Sequence, residues 1–556
     1  MSIAETLLEK GLISPDDLAE AMELRKKEGT RLDRALVQLG RVSEEALLKV
    51  IGEQLAIPLV DLSTATVDVE TLRALPAKLV YRKNLLPISR SNGTLKVATS
   101  DPYDLYAFDE LRLLTNLEVQ PVLAPAEEIR KLIRAHYGVG GDTIDQMMST
   151  DDLEVVSDTG EQADNLLEMA QEASVIKLVN EIFLEALNER ASDIHVEPFE
   201  KDLSIRYRID GVLQHASLPP QIRRFQAAII SRIKIMAHLN IAEKRLPQDG
   251  RISLTIGSRQ VDVRVSIIPM LFGEGIVMRL LNKSTVMYTL PQLGMAEDTF
   301  AVFEDLILRP HGILLVTGPT GSGKTTTLYA ALQAIVSPEI KVLTIEDPVE
   351  YHLAGVNQIQ VQPKIGLDFA RGLRHILRHD PDVVMIGEIR DMETAEAAIQ
   401  ASLTGHLVFS TLHTNDACSA ATRLLDMGME PYLVTSTLEA AMAQRLVRTI
   451  CTDCKESYEP DLDLLPRDLK LEKGQPLYRG KGCRKCRGTG FYGRAGLFEL
   501  MVVNDAIREK IMARSPSSEI IAVAKATGLR LLREDGWVKV RAGTTTPDEV
   551  IRSSKV

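Results

Sequence analysis

The sequence predicts a multidomain α/β protein in which a P-loop nucleotide-binding domain follows an α+β domain and a small helical N-terminal domain, and carries a tetracysteine insertion. Three observations predict it. The run GILLVTGPTGSGKTTT from Gly312 to Thr327 passes from an apolar strand through a glycine-rich turn into residues of helical spacing. Cys451, Cys454, Cys483 and Cys486 form two Cys-x-x-Cys pairs. Residues 1–60 hold a repeat in which Leu7-Leu8, Gly11, Ser14 and Leu18 recur as Leu36-Val37, Gly40, Ser43 and Leu47.

Composition sets the bounds. A chain of 556 residues suits about three to five domains. Hydrophobic content of 45% with 26% charged residues describes an ordinary globular protein with ample core. A formal net charge of −12 and an aromatic content of 4% argue against a nucleic-acid translocase, which would present basic grooves and stacking aromatics. No apolar run approaches the ~20 residues that span a bilayer. The start, MSIAETLLEKGLIS, lacks a basic segment followed by an apolar one, so it does not read as a secretory signal. A cytoplasmic chain is expected, with any membrane role coming through a partner.

Taken in order, each unit of the N-terminal repeat reads as a helix, a glycine stop, a serine cap and a second amphipathic helix. Two such units are too few for a solenoid, which leaves a small helical domain over residues 1–60. Residues 61–137 alternate strand-like runs (Thr94 to Ala98, Val119 to Val122) with helical ones (Tyr106 to Leu114, Ala126 to His136), as an α+β region does. Residues 138–173 turn glycine-rich and then acidic, the composition of a flexible linker. A second α+β domain follows over residues 174–288. It opens with a helix at Ser174 to Asn188 and continues with strands around a hairpin at Asp210-Gly211, a helix from Gln221 to Leu239, and strands at Arg251 to Ile256 and Gln260 to Ile267. Residues 289–450 are the nucleotide-binding domain, 451–494 the tetracysteine insertion, and 495–556 a helical C-terminal part of the same domain.

The chemistry starts at the P-loop. Gly318, Gly323, Lys324 and Thr325 fill G-x-x-x-x-G-K-[ST] in its strand–loop–helix context. Backbone N–H groups from Gly318, Thr320, Gly321, Ser322 and Gly323 can wrap phosphates at the positive end of a helix, with Pro319, which has no N–H, holding the turn among them. Lys324 is placed for the β/γ-phosphates, and Thr325, with Thr326 beside it, for the phosphate–Mg²⁺ end of ATP.

Downstream, Val342 to Ile345 reads as a core strand ending in Glu346-Asp347-Pro348-Val349-Glu350, and Val383 to Ile386 as another ending in Gly387-Glu388. An ordinary Walker B strand carries aspartate where Gly387 stands, which makes Glu346 the candidate carboxylate for Mg²⁺. Glu388 is the candidate for orienting or deprotonating the attacking water. An isolated glutamate at a strand end is more often structural; a P-loop in the same domain favours catalysis. His413, just past the strand Leu407 to Thr411, is placed as a γ-phosphate sensor.

Four thiolates in two knuckles suit tetrahedral Zn²⁺ with no position left for water, so a structural site is expected. Their wide separation exceeds the zinc-ribbon spacing, and disulfides are disfavoured in a cytosolic chain. Cys418 reads as a small buried hydrophobe.

GPTGSGKTTTLY, TIEDPVE, RHDPDVVMIGEIRD and TGHLVFSTLHTND resemble the Walker A, Asp box, Walker B and His box of the secretion ATPase superfamily. Within it the chain is similar to general secretory pathway protein E and the type IV pilus assembly ATPases, from about Ser174 to the C-terminus. Glycine at position 387 is that family's normal Walker B. The resemblance implies a RecA-like motor domain and a hexameric ring. It implies an ATPase driving pseudopilus assembly and protein export in type II secretion, with type IV pilus extension as the nearby alternative. Inner-membrane platform and cytoplasmic-domain proteins of the machine are the implied partners. It also implies arginines that reach the nucleotide: Arg264 and Arg279 from the second α+β domain, Arg374 and Arg378 from the motor domain. The last two stand i,i+4 on a predicted helix and would share a face, where surface salt bridging is the plainer alternative.

The N-terminal repeat resembles a cyclic-di-GMP-binding domain, whose halves each pair an Arg-Leu-Gly start with a terminal glutamine. Here the second half has Arg31-Leu32 and Gln54 but Asp33 for glycine; the first has Ser2-Ile3-Ala4 and Arg25. With that much of the motif missing, a helical docking module for the membrane platform is preferred over a cyclic-di-GMP-responsive regulatory protein.

Overall fold

The helix–glycine–serine–helix repeat folds as read. In the computed structural model, which describes all but residues 1–2, 29–30, 63–68, 73–74, 76, 92, 138–172, 217–219, 257–258, 283–287, 462, 464, 472–473 and 555–556, it forms α1 (Ile3–Glu9), α2 (Pro15–Glu28), α3 (Leu32–Gln38) and α4 (Glu44–Leu55). Gly11 and Gly40 end α1 and α3 at φ 66° and 68°. There Leu12 N–H returns to Leu7 O and Arg41 N–H to Leu36 O, which satisfies carbonyls the helix leaves open. Ser14 and Asp17 cap α2 reciprocally, each side chain accepting the other's N–H. Ser43 Oγ accepts the Ala46 N–H at the start of α4.

The chain divides into two compact units, Met1–Asn282 and Lys283–Val556. In the first unit a three-stranded sheet follows the repeat: β1 (Leu86–Ser91), β2 (Thr94–Thr99) and β3 (Glu118–Leu123), in that order. Leu123 of β3 packs into the core of the repeat, and its backbone bonds Pro58 and Val60. The acidic linker lies outside the described residues except for Ala173, which starts helix α5 (Ala173–Asn188).

An antiparallel six-stranded sheet follows, β4 (Asp193–Pro198), β5 (Leu203–Ile209), β6 (Val212–His215), β7 (Gln248–Ile256), β8 (Arg259–Met270) and β9 (Gly273–Asn282), in the order β6-β5-β4-β9-β8-β7. The two-residue turn between β5 and β6 has Asp210 at φ 48° and Gly211 at φ 86°, as a type I′ hairpin needs. The helix expected from Gln221 to Leu239 is shorter than expected. A 3₁₀ stretch covers Pro220–Phe225, where proline supplies no N–H, and α6 runs Gln226–Met236. Helices α5 and α6 bury Val175, Leu178, Ile182, Ile229 and Ile233 with the sheet residues Ile194, Val263, Ile276 and Met278.

The second unit is built on a seven-stranded sheet: β10 (Gly312–Thr317), β11 (Val342–Glu346), β12 (Val356–Gln360), β13 (Val383–Ile386), β14 (Leu407–Leu412), β15 (Leu438–Ile450) and, after the hairpin β16 (Lys455–Tyr458) and β17 (Leu477–Gly480), β18 (Phe491–Val502). The order is β12-β11-β13-β14-β10-β15-β18. All neighbours are parallel except β15 and β18. Both faces are covered. Ile313, Leu315, Ile345, Ile386 and Val408 enter one apolar layer, while Leu314, Val316, Val342, Met385 and Phe409 enter the other.

Two expectations are corrected here. The stretch from 495, expected to be helical, begins as strand β18, because Leu497 and Phe498 are buried in opposite layers. Glu499 of β18 is buried; its carboxylate accepts the N–H of Ala417 at 2.8 Å and of Leu532 at 3.1 Å, capping helices Cys418–Asp426 and Leu532–Arg541. The helix thought to carry both Arg374 and Arg378 is α-helical only over Phe369–Ile376. A 3₁₀ turn Leu377–His379 follows, ending before Pro381, which disfavours helix at Asp380. The two arginines therefore do not share one α-helical face.

Candidate active site and metal centre

Parallel strands deliver their C-terminal ends to one edge of a sheet, and a ligand binds outside that edge. Here β10 leads there into the glycine loop, β11 into Glu346, β13 into Gly387-Glu388 and β14 into His413. The strand with the loop and the strand with Glu388 flank β14.

The loop requires its glycines. A side chain at Gly318 would press within 2.6 Å of Gln444 O, and the residue sits at φ 147°. Helix α7 (Lys324–Ile335) starts on the loop, with Thr325 and Thr326 in its first turn. Lys324 is buried and folds back, its Nζ donating to Gly318 O at 2.8 Å and Pro319 O at 3.1 Å. Burial pushes its ammonium below the ordinary lysine value, with Glu388 opposing that shift and Arg445 adding to it. Ser322 Oγ is buried and has no hydrogen-bond partner. A loop with an orphaned hydroxyl and a buried ammonium bonded only to its own carbonyls fits phosphate oxygens.

Glu388 and His413 come together. His413 Nε2 lies 3.2 Å from Glu388 Oε2, and Arg390 holds Oε1. Burial works to raise the Glu388 carboxyl, but Arg390 and His413 outweigh it and hold the group below its ordinary value. Thr411 Oγ1 donates to Gly387 O at 2.7 Å and fixes the strand end. Glycine stands at 387 because a side chain would meet the Glu346 Cα at 3.3 Å and Ile345 O at 3.4 Å.

Glu346 reaches the same edge in a different state from that of an open ligand. It is buried and accepts from Thr344 at 2.5 Å, Gln358 at 3.2 Å and the Tyr329 hydroxyl. Burial raises its carboxyl above the ordinary range against those bonds. Arg374 pairs with Glu393 at 3.4 Å, and Arg378 bonds His375 at 3.0 Å.

Arg264 and Arg279 lie on the sheet of the first unit, in one cross-strand row. The register pairs Arg251 with Arg264, Arg264 with Arg279, Arg279 with Asp193, and Asp193 with Arg208. Buried Asp193 accepts from Arg279 Nε at 3.1 Å, and Arg208 Nε stands 3.8 Å away. Arg251, Arg264, Arg279, Asp249 and Ser266 line a cavity of about 470 Å³. Sequence reasoning missed Arg251, Arg390 and Arg445; only the two-residue alternation of a strand could have linked Arg251 to Arg264.

The four cysteine sulfurs lie within 4.8 Å of one another. Burial and the neighbouring thiols push Cys454 up to about 12. Burial also disfavours the Cys486 thiolate, yet N–H bonds from Cys483 at 3.1 Å and Gly490 at 3.2 Å hold Cys486 down to about 7. Four thiols so crowded ionise together only around a dication, so the cluster is compatible with zinc. In the N-terminal repeat, Arg31 is taken by Asp33 at 2.5 Å and Asp101 at 2.6 Å, and Gln54 donates to Thr6 at 2.6 Å.

Residues 168–552 match the family described as Type II/IV secretion system protein. The chain belongs to that family. Within this secretion-family chain, residues 55–143 also match the MshEN domain. It is 45% identical over 559 residues to Type II secretion system protein E of Xanthomonas campestris pv. campestris, covering 99% of this chain and 98% of that one. It is 42% identical over 560 residues to Type IV pilus assembly ATPase PilB of Myxococcus xanthus, again covering 99% and 98%. Among solved structures it resembles the Legionella pneumophila ATPase DotB at 21% identity and TM-score 0.50, over 67% of this chain and 93% of that chain. That is a likeness of fold, and with the sheet order it bears out the RecA-like architecture expected of the secretion ATPases. Among the described residues no helix is long and apolar enough to cross a membrane.

Proposed function

We propose that the protein is a cytoplasmic, hexameric ATPase that powers pseudopilus assembly and protein export in type II secretion, docked on inner-membrane platform proteins. The observation that carries this reading is the pairing of near full-length similarity to a type II secretion system protein E with a hydrolytic set, Lys324, Glu388 and His413, at the loop edge.

In this reading the loop from Gly318 to Gly323 binds the phosphates through backbone N–H groups, and Lys324 exchanges its two loop carbonyls for phosphate oxygens. Glu388, kept ionised by Arg390 and His413, orients the attacking water and takes its proton. His413, beside the carboxylate of that base, would register the terminal phosphate. Mg²⁺ would screen phosphate charge; Thr325 is placed to hold it, and Glu346 would contribute only after releasing the Tyr329 hydroxyl. Arg264 and Arg279 supply guanidinium groups to the developing phosphoryl charge, with Arg374 and Arg378 contributing from the motor domain. Cys451, Cys454, Cys483 and Cys486 would hold Zn²⁺, which would serve there as a structural cross-link.

The test is the Mg²⁺-ATPase rate per protomer against protein concentration, for wild type and Glu388→Gln. A specific rate that climbs with concentration and vanishes in the variant is expected of sites completed on assembly. A rate flat with concentration and unchanged by Glu388→Gln overturns the reading.

A second reading, type IV pilus extension, is favoured by the near full-length similarity to a PilB. Co-purification with a type II platform protein supports the first, and selective association with pilus components the second. Docking to such a platform, rather than cyclic-di-GMP binding, is assigned to the N-terminal repeat, whose Arg31 is already neutralised by Asp33 and Asp101.

A further inference from the structure

Two cations meet at the glycine loop without an ion-pair partner among the described residues. Lys324 is one, bonded to the carbonyls of Gly318 and Pro319. The other is Arg445 on β15, half-buried. Strand β15 runs parallel to β10, with Ala443 opposite Thr317, so the next residues of β15 flank the loop. Arg445 Nη1 would stand 3.0 Å from a Cβ built on Gly318. Its donors go to neutral oxygens: Nη1 to Gln444 O at 3.0 Å, and Nη2 to Asn415 O at 2.8 Å and Asn415 Oδ1 at 3.4 Å.

The neighbouring carboxylates are committed elsewhere. Glu499 accepts from the backbone of Ala417 and Leu532, and Asp416 accepts from the backbone and hydroxyl of Ser419. A half-buried guanidinium bonded to carbonyls carries part of its desolvation cost uncompensated, which an anion relieves. With five donors, Arg445 can keep Asn415 and still offer N–H groups to a ligand beside Gly318.

We propose that Arg445 binds the terminal phosphate of the nucleotide held by the loop and ties it to the segment His413–Asn415. The assignment rests on the ATPase reading above. The terminal phosphate is the one concerned because Arg445 stands at the first glycine of the loop and bonds the segment carrying His413, the partner of Glu388. Lys324 Nζ, bonded to Gly318 O, reaches the same end of the loop. Arg445 would thus report bond cleavage to β14 as well as bind the substrate.

The experiment measures ATP and ADP affinities of the full chain in a Glu388→Gln background, which preserves the ATP, for Arg445, Arg445→Gln and Arg445→Lys. Arg445→Gln is expected to weaken ATP by about 10- to 100-fold and ADP by less than about 3-fold, since a charge-assisted phosphate contact is lost only where that phosphate exists. Arg445→Lys should recover part of the ATP affinity, and nucleotide-free melting should match the parent. Equal weakening of ATP and ADP, no change in either, or lower melting with both ligands lost would each overturn the proposal and make Arg445 a strut. A parent that binds neither nucleotide would instead overturn the ATPase reading on which it stands.

Discussion

Glu388 Oε2 lies 3.2 Å from His413 Nε2, a contact that joins the ends of two neighbouring parallel strands, β13 and β14. The same carboxylate is gripped by Arg390. Both contacts favour its ionised form.

The first prediction concerns pH. Glu388 is held below the ordinary carboxylate value, against burial, by Arg390 and His413. Activity that needs its ionised form persists down through the ordinary carboxylate range and falls as pH drops through the depressed pKa. Arg390→Ala removes a stabiliser of the anion, so the acid limb of kcat/KM should move to higher pH. Glu388→Gln itself should lower kcat by about 10²- to 10⁴-fold. A limb that stays in place in Arg390→Ala would separate Arg390 from the base.

The arginine row yields the second. Like charges directly opposite on a sheet repel, and Arg251 and Arg264 are such a pair. Arg251→Ala should leave nucleotide-free melting unchanged or slightly raised. If the row faces phosphoryl charge, the same variant should lower the assembled ATPase rate about 10-fold or more. Arg264→Ala serves as the comparison: loss of activity there with none in Arg251→Ala would confine the role to Arg264 and Arg279.

Zinc is the third. Purified wild type should carry equimolar zinc, and Cys454→Ser should carry little. Chelation should lower the melting temperature of wild type and leave Cys454→Ser where it already lies, because the metal contributes folding free energy. Full zinc content in Cys454→Ser would remove that sulfur from the site.

The fourth concerns the C-terminal helix. Glu549 is buried, bonds Arg448 at 2.7 Å and Arg552 at 2.7 Å, and against burial is held down to about 2 by them. A depressed carboxylate contributes its full stability above the ordinary pKa and loses it as pH falls toward the folded one. Glu549→Gln should thus cost about 3 kcal/mol at pH 7. The difference from wild type should shrink between about pH 4.5 and 2, as followed by denaturant midpoints. An undiminished gap at low pH would show that the loss is one of packing.

Much of this was legible in the sequence where local rules and the fold agree. The glycine loop, the strands ending at Glu346, Glu388 and His413, and the capped N-terminal repeat all obey short-range patterns. Strand β15 does not. Leu438 to Leu446 reads LEAAMAQRL, rich in helix-favouring residues, yet it is extended because β10 and β18 flank it. Arg445 was invisible for that reason: its place beside Gly318 comes from a pairing far away in sequence. Arg251 was lost similarly, since register across strands is a tertiary fact. The expectation that Arg374 and Arg378 share one helical face failed at the 3₁₀ turn Leu377–His379, just ahead of Pro381.

Glu499 has a consequence for how the second unit forms. One carboxylate holds the first N–H groups of two helices more than a hundred residues apart in sequence. Neither helix start is fully satisfied until β18 has inserted beside β15, the last pairing at that side of the sheet. The chain through Leu412 can therefore collapse around the five parallel strands early, while the segment behind His413 settles only when synthesis has passed Leu532. A ribosome-bound intermediate of that length would lack both β15 beside the glycine loop and a settled segment behind His413, so the proposed hydrolase would wait for the whole chain.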